Sequence, residues 1–172
     1  MEWQKTAEKL IVNGYRKIIL KSFILPNGRS EDFEIFKEGQ AVCVVAITSD
    51  NQVVLAKQFR PGPEKVLLEL PGGAVDAGET PQQAIKREFL EETGYDGNFQ
   101  FVQTILDDAY STRIRHVFVA TNCKKVAEQH LGDLEFIEII EMPLAEFREH
   151  LRAGQLTDIE IGYLGLDFLK LL

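Results

Sequence analysis

Residues 41–48, Ala-Val-Cys-Val-Val-Ala-Ile-Thr, constrain the fold more than any other stretch of the chain. A continuous apolar run of this length, closed by the turn residues Ser49-Asp50-Asn51, reads as a buried strand. Such a strand needs neighbours in a sheet and further layers to cover it. The flanking sequence supplies both. Residues 53–59 return from the turn as a strand, and 66–70 form a short one that ends at Pro71-Gly72-Gly73. A helix is predicted from Thr80, with Thr80 as N-cap, Pro81 at the first helical position and Gln83 completing a capping box. Gly94 is its stop. Strands are expected at 99–106, 115–120 and 134–140, and helices at 144–153 and 158–172, with Asp158 at the N-cap of the last. The pattern is α/β, with helices packed on mixed or antiparallel sheets.

The first part of the chain reads differently. Residues 17–25 and 31–37 are strands joined by Pro26-Asn27-Gly28-Arg29, a tight-turn sequence. The division expected is an N-terminal hairpin segment at 1–39 and a main domain at 40–172. A two-stranded hairpin is marginal alone. Ile18, Ile19, Leu20, Phe23, Ile24, Leu25, Phe33 and Phe36 include consecutive positions, so both faces of the hairpin call for cover. A second copy of the chain is the simplest cover for one of them, and a homodimer is expected.

Composition narrows the function classes. A formal net charge of −8 argues against a nucleic-acid or anionic-membrane partner, which would reward clustered Lys and Arg. It leaves a small phosphate substrate open, because a divalent cation reverses the local sign. Cys43 and Cys123 lie far apart without metal-binding spacing and read as buried hydrophobes. His116, His130 and His150 show no ligand spacing either. The N-terminus lacks a signal-peptide pattern and no apolar run is long enough to span a membrane, so a cytoplasmic location is expected.

The chemistry-bearing stretch is 72–95. Glu88 and Glu92 are four residues apart on one helix face, and Glu91 is three from Glu88. Three carboxylates in one patch repel each other, which costs an isolated helix stability. Ile85 and Phe89 form a separate apolar stripe that anchors the helix, so the acidic face is presented into a cleft. Clustered carboxylates suit hard cations, and Mg²⁺ uses such oxygens to bridge to substrate phosphates. The glycines before the helix let the chain turn sharply and aim a backbone carbonyl at the same ion. Arg87, four residues before Glu91, can pair with a carboxylate and fix the cluster.

Gly73, Glu79, Arg87-Glu88, Phe89, Glu91-Glu92, Gly94 and Tyr95 reproduce the spacing of the Nudix box at every specified position, and the chain resembles the Nudix hydrolase family. Gln58-Phe59-Arg60-Pro61, followed by Glu69-Leu70-Pro71-Gly72-Gly73, is similar to motifs of its ADP-ribose pyrophosphatase branch. The resemblance implies a Nudix-type α/β/α sandwich with a mixed sheet and an N-terminal β-hairpin extension. It implies Mg²⁺ as cofactor, with Mn²⁺ able to substitute, held by the Gly72 carbonyl, Glu88, Glu91 and Glu92. Glu79 and Arg87 match the family's helix-orienting pair. Arg60 and Glu69 are the implied substrate-binding residues, with Arg60 facing the diphosphate. Glu91, Arg87 and a general base complete the catalytic set; the base is Glu135, with Asp133 and Glu138 as alternatives.

The implied activity is hydrolysis of the diphosphate bond of a nucleoside diphosphate sugar such as ADP-ribose, giving a nucleoside monophosphate and a sugar phosphate. One departure bears on the substrate. Where the branch commonly carries a Ser-Pro-Gly stretch, this chain has residues 107–116 with Tyr110, Arg113 and Arg115, which leaves GDP-mannose open. A dinucleoside polyphosphate, and a non-catalytic nucleotide-sugar sensor, are the remaining alternatives. Trp3 and Tyr15 are candidates to stack on a nucleobase across a dimer.

Overall fold

The computed structural model describes residues 2–172. The chain forms two compact units, Met1–Gln40 with Ile105–Arg115, and Ala41–Thr104 with His116–Leu172.

In the first unit, β1 (Gln4–Asn13), β2 (Lys17–Ile24) and β3 (Ser30–Phe36) form an antiparallel sheet in that order. The expected hairpin is β2–β3, with Ile24 opposite Ser30. Its turn is wider than a two-residue Asn-Gly turn. Gly28 alone takes positive φ, Leu25 N–H donates to Arg29 O at 2.8 Å, and Asn27 Oδ1 accepts from Arg29 N–H at 3.0 Å. β1 was not foreseen, and it is exposed along its whole length. Trp3, Phe23 and Phe33 pack as an aromatic trio with centroids 5.6–6.0 Å apart. The 105–115 segment joins this unit through Phe36, whose N–H donates to Tyr110 O at 2.8 Å. Thr112 N–H donates back to Phe36 O at 2.9 Å.

The main sheet has seven strands. β4 (Gln40–Thr48) and β5 (Gln52–Arg60) sit at its centre in the order β10-β5-β4-β9-β8, with β6 (Lys65–Glu69) paired to β5 and β7 (Gly72–Ala74) to β4. The outer members are β8 (Tyr95–Leu106), β9 (Ile114–Lys125) and β10 (Glu138–Pro143). The apolar run in β4 is buried from Val42 to Ile47, and strand periodicity divides it between two layers. Val42, Val44 and Ala46 share a core with Phe118 and Ala120 of β9 and with Ala84, Ile85 and Phe89 of α1 (Pro81–Thr93). Val45 and Val119 face the other way, against α3 (Ile159–Phe168): a Cβ on Gly165 would lie 2.4 Å from Val45 Cγ2 and 3.4 Å from Val119 Cγ1. α2 (Leu144–Ala153) buries Phe147 and Leu151, and Leu151 lies against Gly162 of α3. Helices thus cover both faces of the sheet, the α/β/α arrangement expected.

α1 starts and stops where its local signals put it. Thr80 accepts from Gln83 N–H, and the Gln83 side chain accepts from Thr80 N–H at 2.9 Å. Gly94 closes the helix at φ 75°, a left-handed conformation that favours glycine. Two expectations need correcting. The strand expected at 134–140 begins at Glu138; Asp133 and Leu134 form a turn and residues 135–137 are irregular, with Leu134 and Phe136 exposed. The Glu135 carboxylate accepts from Gly132 N–H at 2.7 Å, a local bond that competes with strand pairing. The last helix is shorter than 158–172. Asp158 occupies the N-cap but makes no capping bond with its side chain, and the helix closes at Phe168 before Lys170 at φ 58°.

Candidate active site

β7 and α1 bring the acidic residues together. Arg87 sits in their middle with its guanidinium fully engaged. Nε and Nη2 form a two-pronged bond to Glu79 at 3.0 and 2.9 Å, and Nη2 also donates to Ala74 O at 3.1 Å. Nη1 donates to Glu88 Oε1 at 2.9 Å and to Glu91 Oε2 at 3.1 Å. One planar cation therefore ties the loop before the helix, the β7 backbone and two helix carboxylates into one geometry. These bonds raise the Arg87 pKa further, Glu79 contributing most, and the same bond lowers that of Glu79.

Glu92 lies deeper. It is 9% exposed, and its Oε2 accepts from Gly72 N–H at 3.0 Å. Burial pushes its carboxyl up to about 8; the Gly72 hydrogen bond opposes this and the charges of Glu88 and Glu135 add to it. Burial likewise raises Glu88, against the pull of Arg87. Glycine is required on the strand side. A Cβ on Gly73 would fall 2.3 Å from Glu88 Cδ, and one on Gly72 would fall 2.2 Å from Val42 O. Gly73 thus leaves the space that the Glu88 carboxylate fills.

Among the described residues, no three Asp, Glu, His or Cys side chains form a ready-made metal cage. Arg87 draws one oxygen each from Glu88 and Glu91, and each keeps a second. The donors are all hard oxygens with more negative charge than one arginine balances, and burial raises two of them, Glu88 and Glu92, from the ordinary carboxylate value. That chemistry fits a divalent cation.

Glu135 belongs to the same neighbourhood, since its charge acts on both Glu88 and Glu92. It also lines an open groove of about 560 Å³ with Gln58, Phe59, Val66, Leu131 and Phe136. The alternative Glu138 is paired with Lys57 at 2.7 Å on the neighbouring strand. Segment 126–130 packs on the end of α1. Val126 and Ala127 N–H donate to Gly94 O at 2.8 and 3.0 Å, and His130 N–H donates to Glu91 O at 2.8 Å. The Gln129 carboxamide donates to Glu92 O at 2.6 Å and Ile137 O at 3.1 Å.

Arg60 ends β5, and Glu69 ends the paired strand β6. Arg60 Nε donates to Glu69, a carboxylate 1% exposed, and the Thr157 hydroxyl donates to the other Glu69 oxygen. The Arg60 side chain is half exposed, and among the described residues its Nη groups hydrogen-bond no protein atom. Gln129 and Thr157 were missed at the level of sequence. Neither lies in a motif, and nothing local distinguishes them.

In the first unit, Arg113 pairs with Glu38 at 2.7 Å and Arg115 with Asp107 at 2.9 Å. Tyr110 and Tyr15 are exposed there. His116 Nδ1 lies 3.0 Å from Thr104 Oγ1, and the His150 ring meets Leu68 O at 3.3 Å. Both cysteines are free and buried.

Residues 37–159 match the NUDIX domain, and the chain belongs to the Nudix family. It is a Nudix hydrolase. Members of the family generally work with a divalent metal ion. An ADP-ribose pyrophosphatase of Bacillus subtilis (strain 168) is 31% identical, with 99% of this chain and 94% of that protein aligned. A methanol dehydrogenase activator of Bacillus methanolicus is 33% identical over 94% of this chain and 91% of its own. A solved structure described as an ADP compounds hydrolase superposes with a TM-score of 0.80 at 19% identity, covering 100% of this chain and 98% of its own, and shares the fold.

Proposed function

We propose that the chain hydrolyses the diphosphate of a nucleoside diphosphate sugar, with ADP-ribose as substrate and Mg²⁺ as the working ion. The observation that carries this reading is the pairing of an Arg87-clamped carboxylate cluster with an arginine, Arg60, whose Nη donors have no partner among the described residues. Two free donor nitrogens in a planar fork match two oxygens of a diphosphate. The name of the Bacillus subtilis relative supports ADP-ribose among such substrates.

Glu88, Glu91, Glu92 and the Gly72 carbonyl would hold the ion. It supplies charge neutralisation and a more acidic water. The residues of the chain do the rest. Arg60 grips the diphosphate, while Glu69 aims Arg60 and so belongs to the substrate site indirectly. Arg87 keeps Glu88 and Glu91 in register. Water adds to one phosphorus, the bridging P–O bond breaks, and the proton of the water passes to Glu135. A nucleoside monophosphate and a sugar phosphate leave.

The test is phosphate release from a Mg²⁺-containing panel of ADP-ribose, GDP-mannose, UDP-glucose, diadenosine polyphosphates and nucleoside triphosphates, coupled to a phosphatase. A kcat/KM highest for a nucleoside triphosphate would overturn the reading. Because a relative of similar identity is named a methanol dehydrogenase activator, the panel includes activation of such a dehydrogenase.

The assembly proposed is a homodimer. β1 is exposed along its length, and Leu10 and Val12, which flank a bulge at Ile11, pair with the adjacent residues Ile19 and Ile18, so exposed apolar side chains lie on both faces of the strand. A second copy is the simplest cover. Among the described residues no helix is long and apolar enough to cross a membrane. The location proposed is the cytoplasm.

A further inference from the structure

We infer that Thr157 is a positioning residue for the hydrolysis, acting through Glu69 on Arg60. The inference rests on the proposed contact of Arg60 with the diphosphate. Its starting point is a charge in an unusual place. Glu69 is 1% exposed, at the end of β6 on the sheet. A buried carboxylate is tolerated when its oxygens are hydrogen-bonded and its charge is paired. Here one oxygen accepts from Arg60 Nε and the other from the Thr157 hydroxyl. Thr157 comes from the segment between α2 and α3, 88 residues away in sequence.

The division of labour follows from which atoms are used. Arg60 spends Nε on Glu69, and its Nη pair stays free of protein partners among the described residues. A guanidinium held at Nε alone can still swing about that bond if its carboxylate partner rotates. With Oε1 tied to Thr157, the Glu69 carboxylate plane is fixed at both oxygens and the Arg60 fork is fixed with it. Thr157 Oγ1 also lies 3.4 Å from Asp158 Oδ2, but a hydroxyl carries one proton and the Glu69 contact is the shorter. Losing the hydroxyl leaves Glu69 Oε1 buried without its donor, and the carboxylate turns to find another. The Nη pair then meets the diphosphate out of line. Thr157 itself touches no substrate.

The experiment is a double-mutant cycle on the full chain with ADP-ribose and Mg²⁺. Thr157→Val keeps the shape and deletes the hydroxyl; Thr157→Ala replaces it if the valine protein does not fold, and Thr157→Ser is the conservative rescue. Arg60→Lys keeps the charge but cannot be steered through Nε. The expected result is a fall in kcat/KM of roughly 5- to 30-fold for Thr157→Val, the scale of a sub-ångström misplacement. Thr157→Ser restores at least half of the wild-type value. In the Arg60→Lys background the same substitution has less than a twofold effect, because the fork it steers is gone. A merely structural role would lower the melting temperature and give the same fold-change in both backgrounds; that outcome overturns the proposal. So does a Thr157→Val protein within twofold of wild type while Arg60→Lys is impaired. An unimpaired Arg60→Lys instead removes Arg60 from the substrate, and the parent reading falls first.

Discussion

Adding one methyl group at Gly73 tests the carboxylate cluster without touching any carboxylate. A Cβ there would sit 2.3 Å from Glu88 Cδ and Oε2 and 2.5 Å from Oε1. Carbon atoms in contact prefer about 3.5–4.0 Å, so the Glu88 carboxyl group must retreat by about 1.2 Å or more. The Arg87 Nη1 bond to Glu88 Oε1, at 2.9 Å, does not survive that shift. An ångström of misplacement costs on the order of 100-fold in rate, or about 2.7 kcal/mol of transition-state stabilisation. The fold should not suffer in proportion, because the obstructing atoms are the far end of a flexible side chain. Replacing glycine at a compatible position even restricts the unfolded chain, worth about 0.4–1 kcal/mol. Gly72→Ala is the control. Its Cβ would meet Val42 O at 2.2 Å and Cys43 Cα at 2.8 Å, which are backbone atoms of the paired strand. Overpacking of about 3 kcal/mol lowers the melting temperature by roughly 6–12 °C in a chain of this size. The assays are kcat/KM for ADP-ribose and scanning calorimetry. Gly73→Ala should keep its melting temperature within about 3 °C while losing most of its activity. A folded Gly73→Ala protein within twofold of wild-type activity would refute the reasoning, since Glu88 would then have moved without consequence.

Other outcomes follow from the same geometry. Glu92 is held near 8 in the fold against an ordinary 4.5, so its neutral form favours the fold. That contribution is present below pH 4.5 and is lost as pH rises towards and through 8. In chelator, the wild-type melting temperature should therefore fall from pH 5 to pH 8, while Glu92→Gln stays flatter and loses kcat by orders of magnitude; parallel pH profiles for the two proteins would contradict this. Arg60→Ala should cost roughly 2–4 kcal/mol in kcat/KM, the scale of losing a charged contact in a closed site, and an unchanged value across the substrate panel removes it from the site. Thr80→Ala deletes the α1 cap and should cost about 1 kcal/mol by denaturant titration, with kcat preserved. Light scattering at micromolar concentration should give twice the 19.5 kDa chain mass; the single-chain mass refutes the dimer.

What was legible in the sequence was local. The cap at Thr80, Pro81 and Gln83 and the stop at Gly94 lie within the helix they bound, so α1 could be read from its own residues. The apolar run of β4 announced its burial directly. β1 was illegible because strand patterns record a covered face, and neither face of β1 is covered in one chain. Leu134 and Phe136 carried the alternation of a strand, but the turn closed by Glu135 on Gly132 won. The site divides in the same way. Glu79, Arg87, Glu88, Glu91 and Glu92 are one spaced motif, and the structure brings Arg87 onto Glu79, Glu88 and Glu91. The partner of Glu69 on its second side comes from position 157, and no spacing rule spans that separation.

The docking of residues 126–130 on the end of α1 also governs how the enzyme would come apart. The carbonyls of Glu91, Glu92 and Gly94 receive their hydrogen bonds from this segment rather than from solvent. Gln129 then reaches across to Ile137, on the far side of Glu135. The end of the acidic helix and residues 126–130 are therefore fastened as one opening unit by three backbone bonds, and the Gln129 side chain ties that unit to the loop with the proposed proton acceptor. In native-state amide exchange, Val126, Ala127 and His130 should exchange at the rate of the α1 C-terminal turn, and residues 132–136 faster. A fluctuation that frays the end of the helix releases the loop as well, so no partly opened form keeps the base anchored while the end of the acidic helix is frayed.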